Sequence, residues 1–65
     1  MDSPPPIPLA DQIDEVKRDL GFRERVYGRK VEQGTMTAEA KAARIARMQA
    51  VLATLQAVES GERLI

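Results

Sequence analysis

Apolar side chains recur in the first half of the chain at Leu9, Ile13, Val16, Leu20, Tyr27 and Val31, at intervals of 4, 3, 4, 7 and 4. At 100° per residue these six positions fall within about 40° of one line. That is the spacing of an a/d seam, and it predicts a helix over about residues 10–33. The second half repeats the signal with Ile45, Met48, Leu52 and Leu55. Val51 and Val58 widen that stripe to about 140°, and predict a second helix over about residues 37–60. Two rows of alanine (Ala43, Ala50, Ala57 and, beside them, Ala42, Ala46, Ala53) make much of the second helix small or apolar. Such a helix is usually covered on more than one side, although alanine is also the best helix former. β-Branched and aromatic residues are too sparse to supply strands, so the fold class is all-α.

The punctuation between the two patterns is Gln33-Gly34-Thr35-Met36-Thr37. Gly34 suits the left-handed position that closes a helix. Thr35 or Thr37 then caps the next helix, with Glu39 in its first turn. Neither threonine has Glu or Gln three residues on, so the capping box is missing. A turn this short, near residues 33–37, makes the helices antiparallel neighbours in a helical hairpin. Asp11 is the expected N-cap of the first helix, with Asp14 and Glu15 in its first turn. Gly21 and Gly28 share a side about 90° from the seam, which admits close approach of another helix or a kink or break; a kink near residue 28 is expected. Gly61 is the expected end of the second helix. The domain organisation is therefore a hairpin over residues 9–61 between two short flanks. Residues 1–8 hold all four prolines and form an extended arm, in which Pro5-Pro6-Ile7-Pro8 fits a PxxP pattern. Residues 62–65 form a short tail, whose Leu64 and Ile65 are placed to cover the open end.

Size changes the picture. A chain of 65 residues without cysteine has no disulfide to staple it. Two helices bury one stripe each against the other and do not enclose a core. The expected completion is a homodimer, making a four-helix bundle of coiled-coil type, or docking on a larger protein. Phe22 and Val26, placed opposite the seam, join Val51 and Val58 as the candidate oligomer surface.

Charge adds a polarity. Formal net charge is zero, yet residues 22–48 carry Arg23, Arg25, Arg29, Lys30, Lys41, Arg44 and Arg47 against Glu24, Glu32 and Glu39, a net +4. The remainder carries Lys17, Arg18 and Arg63 against Asp2, Asp11, Asp14, Glu15, Asp19, Glu59 and Glu62, a net −4. A hairpin with its turn near 35 thus has a basic tip and an acidic base, and head-to-tail pairing of two copies would set one against the other. Arg23, Arg25, Tyr27, Arg29, Lys30, Arg44 and Arg47 are the candidate partner-binding residues, since Arg and Tyr are favoured interface anchors. Tyr27 also has the phase of a seam residue. The leading reading is a non-enzymatic protein-interaction module. The alternative is a small dimeric RNA- or DNA-binding hairpin, comparable in size and architecture to the Rop proteins, gripping phosphates with the same tip. Zero net charge and a single aromatic in the patch count against it.

Catalytic chemistry finds little to work with. Histidine and cysteine are both absent, Ser3 and Ser60 lie near the ends, and no Gly-rich phosphate loop is present. No catalytic, cofactor-binding or metal-binding residue is assigned. No apolar run approaches the roughly 18–20 residues of a membrane span, and no secretory signal precedes the helices, so a soluble cytoplasmic protein is expected.

The segments Arg23-Glu24-Arg25-Val26-Tyr27, Val31-Glu32-Gln33-Gly34-Thr35-Met36-Thr37 and Ile45-Ala46-Arg47-Met48-Gln49-Ala50-Val51-Leu52-Ala53-Thr54-Leu55 follow a pattern. It reads R-x-R-V-Y, two or three residues, V-x-x-G-x-[ML]-T, then I-A-x-M-x-A-[VI]-x-x-T-L. The pattern resembles that of short helical proteins encoded by bacterial prophages and phages, and covers half to two-thirds of the chain. Members of that group often have Pro at the position of Gly28 and Trp at that of Lys30. The resemblance implies a mobile-element origin and a helical hairpin, and it assigns no activity and no site residues.

Overall fold

The computed structural model describes residues 6–63, the last two by backbone alone. Two helices account for nearly all of them: α1, Leu9–Gln33, and α2, Ala38–Arg63. They pack against each other as an antiparallel hairpin. Among the described residues there is no strand.

The turn closes by local bonding. Gly34 sits at φ 77° and ψ 12°, a left-handed conformation that a Cβ would strain. Its N–H donates to the Val31 carbonyl, and the Thr35 N–H donates to the Lys30 carbonyl at 2.9 Å. Those two bonds form a Schellman motif and satisfy carbonyls that the end of a helix would otherwise leave open. The Thr35 hydroxyl adds a third bond to the Lys30 carbonyl at 3.2 Å. Of the two threonines, Thr37 caps α2: its Oγ1 accepts the Ala40 N–H at 3.0 Å.

The other end of α1 is built differently from expectation. The helix begins at Leu9, with Pro8 as N-cap and no side-chain cap bond. The Pro8 carbonyl accepts the N–H groups of both Asp11 and Gln12 at 3.1 Å, and the Gln12 side-chain amide donates to the Ile7 carbonyl at 2.8 Å. Asp11 is therefore a first-turn residue, where its charge still favours the helix dipole, and not the cap. Pro8 suits that position because its carbonyl accepts the first helical bond while its ring nitrogen has no N–H to satisfy.

Neither interior glycine breaks α1, which is continuous through Gly21 and Gly28. Gly28 lies beside α2: a Cβ there would meet the Lys41 Nζ at 3.5 Å, whereas a Cβ at Gly21 would meet nothing within 4 Å. α2 likewise continues through Gly61 to Arg63. One glycine costs about 1 kcal/mol in a helix interior, which the surrounding run of good helix formers outweighs. Of the flanks, residues 1–5 and 64–65 lie outside the described part, and with them Pro5 of the PxxP pattern and the expected cover by Leu64 and Ile65.

The seam runs where the periodicity puts it. Ile13 is 5% exposed and is the only buried side chain among the described residues. Leu9, Val16, Leu20, Tyr27 and Val31 on α1 and Ile45, Met48, Leu52 and Leu55 on α2 are all half-buried. The molecule is 46 × 32 × 15 Å, so its thinnest dimension is about that of one helix with side chains. Its radius of gyration of 15.5 Å exceeds the roughly 11 Å of a compact chain of this length. This is one layer of the two that a helical core requires.

Candidate interaction site

α1 brings Asp19, Arg23 and Tyr27 into one column, because residues four apart share a helix face. The Arg23 Nε donates to the Asp19 carboxylate, and its Nη1 donates to the Tyr27 hydroxyl at 3.3 Å. The hydrogen bond to Asp19 raises the Arg23 pKa above its ordinary value, so this guanidinium stays charged. α2 completes the group from across the turn. The Arg44 Cζ lies 5.9 Å from the Tyr27 ring centroid, within range of a cation–π contact. Asp19, Arg23, Tyr27 and Arg44 thus tie the two helices together next to the seam.

The arrangement divides the candidate contact residues. Arg23 and Tyr27 are half-buried and engaged in this network. Arg25, Arg29, Lys30, Arg44 and Arg47 are exposed, and they form the cationic surface of the tip. Lys41 is half-buried beside Gly28. With one face of Tyr27 under Arg44, the ring is better described as a seam residue than as a free stacking platform.

The candidate oligomer surface also divides. Phe22 is 56% exposed, Val51 46% and Val58 47%. Val26 is half-buried, so it is partly covered by its own hairpin and not fully displayed. The arm adds an apolar side chain that the periodicity does not reach: Ile7 is 64% exposed. Together with Val16, Val51 and Leu55 it lines an open groove of about 650 Å³ at the base, rimmed by Asp11, Gln12 and Glu15.

Two features of the site escape a reading of apolar spacing alone. The bond between Asp19 and Arg23 is signalled by their i, i+4 placement, which the tally of basic residues overlooks. The groove depends on Ile7, whose position follows from the helix starting at Leu9 and from the Gln12 bond that holds the Ile7 carbonyl. Among the described residues no group of three or more acidic side chains is placed to hold a metal ion. No buried side-chain nitrogen or oxygen there lacks a partner. No described helix is long and apolar enough to cross a membrane.

Compared with protein-family models, curated proteins and solved structures, the chain matches none. The functional reading therefore rests on residues and geometry.

Proposed function

We propose that this chain is a small non-enzymatic protein-interaction module, a phage or prophage accessory protein that binds and modulates a host or phage protein. The observation that carries the interaction reading is the thin core: among the described residues only Ile13 is buried, while Ile7, Phe22, Val51 and Val58 are each about half exposed or more. A single layer this thin gains too little apolar burial to offset the cost of ordering about 50 helical residues. A second protein layer supplies what is missing. Specific contact is assigned to the tip, where Arg25, Arg29, Lys30, Arg44 and Arg47 present a cationic surface suited to an acidic partner. The phage assignment rests on the R-x-R-V-Y and I-A-x-M-x-A-V resemblance.

The nucleic-acid reading draws on the same five exposed cations. The engagement of Tyr27 by Arg23 and Arg44 weighs against it, since base stacking needs a free ring face. One experiment separates the two. Proteins captured from host lysate by the wild-type chain are compared with those captured by an Arg25→Glu/Arg29→Glu variant, alongside a titration of RNA and DNA across a salt series. Loss of a defined captured protein with weak nucleic-acid binding supports the module. Tight nucleic-acid binding that weakens steeply with salt and disappears in the variant would overturn it.

A further inference from the structure

We infer that the missing layer is a second copy of this chain, packed antiparallel across the face that carries the base groove. The inference rests on the interaction-module reading and names its first partner. Three observations converge on it.

The first is a shared face. At 100° per residue, Gln12, Val16, Asp19, Arg23 and Lys30 of α1 lie within about 60° of one another. Arg44, Val51, Leu55 and Val58 of α2 lie in a similar arc. Contacts place the two arcs on the same side of the hairpin: the groove joins Val16 to Val51 and Leu55, and Arg44 lies over Tyr27, which Arg23 also touches. One side is thus apolar toward the base and polar toward the tip.

The second is area. The chain exposes 5290 Å², whereas a compact protein of its 7.2 kDa exposes roughly 4,100 Å². The excess of roughly 1,200 Å² is larger than the about 800 Å² that each partner contributes to a standard interface.

The third is charge, and it fixes the orientation. Parallel pairing would place one net +4 tip on another. Antiparallel pairing places each tip beside the Asp11 and Glu15 end of the other copy, twice over by symmetry. The turn near residue 35 sets Val51 opposite residue 19, close to the middle of both helices. A two-fold axis there brings Val51 against its own counterpart and closes the assembly, with Lys30 and Arg44 facing the partner's acidic base. Arg25 and Arg29, on the far side of α1, remain outward at both ends for other contacts.

The absence of native cysteine makes the test direct. Gln33 is exposed at the tip and serves as a single labelling site when changed to Cys. Spin labels at this position in the antiparallel dimer should lie roughly 40 Å apart, twice the 14 residues between 33 and 19 at 1.5 Å each. Light scattering should give twice the 7.2 kDa chain mass, and Val51→Asp should lose that mass, whether or not the released chain keeps its helicity. A label distance below about 20 Å, the parallel arrangement, overturns the inference while leaving the interaction module intact. So does a Val51→Asp chain that remains dimeric at the wild-type concentration. A folded wild-type monomer removes both the dimer and the argument from the thin core.

Discussion

The two ends of the hairpin solve the same problem in opposite ways. At the tip, short-range bonds complete the structure. Gly34 and Thr35 satisfy the last carbonyls of α1, Thr37 caps α2, and Arg44 covers Tyr27, which is already bonded to Arg23. At the base the chain buries Ile13 and then runs out of partners, leaving Ile7, Val51 and Val58 open. The tip is specified by sequence neighbours and by residues directly across the turn. The base is specified only in part: Ile7, Val51 and Val58 find no cover within the described hairpin, and the proposed second copy would supply it. Local closure makes a hairpin; it does not make a core.

Substitutions can break that contrast. Ile13→Ala removes the only buried side chain of the described hairpin, and should cost about 2–3 kcal/mol in urea unfolding, the largest single loss. Gly34→Ala forces a Cβ into a left-handed conformation and should cost about 1–2 kcal/mol. Thr37→Ala removes the cap of α2 and should cost about 1 kcal/mol by the same measurement. The two tip variants should leave assembly unchanged once the loss of stability is allowed for, because the surface they disturb is closed within one chain.

Gly21→Ala sharpens the comparison from the other direction. A Cβ there meets nothing within 4 Å and the backbone is already helical, so the change should stabilise by up to about 1 kcal/mol. Gly28→Ala should gain a similar amount, because a Cβ there meets the Lys41 Nζ at 3.5 Å, an ordinary van der Waals distance. A destabilised Gly21→Ala protein would mean that this side of α1 is covered in the assembled state, which would move the second layer away from the groove face.

Much of the hairpin is legible in the sequence. The six seam positions of α1 and the four of α2 follow from helical periodicity, and Gly34 marks the turn because few residues tolerate its backbone. Capping is less legible. Asp11 has the chemistry of an N-cap, yet Pro8 takes that position three residues earlier with a carbonyl that serves two donors. Gly61 misleads for a related reason. It is a weak helix former, but one residue at about 1 kcal/mol does not stop a helix whose neighbours all favour it.

The site was half visible. Counting charges finds the basic tip, but it treats seven cations alike. The fold engages Arg23 with Asp19, sets Arg44 over Tyr27 and places Lys41 against Gly28, leaving Arg25, Arg29, Lys30 and Arg47 outside these contacts. Val26 has the helical phase of an outward residue, and is half-buried all the same. Ile7 contributes to the groove from outside any helix, so no periodicity could mark it.

The central claim is that this hairpin is half of a folded unit. Light scattering and circular dichroism of the full chain, followed together through dilution at micromolar concentration, test it most directly. The account predicts twice the 7.2 kDa chain mass, with helicity falling as that mass is lost. A chain that stays fully helical as a 7.2 kDa monomer throughout the dilution would contradict it.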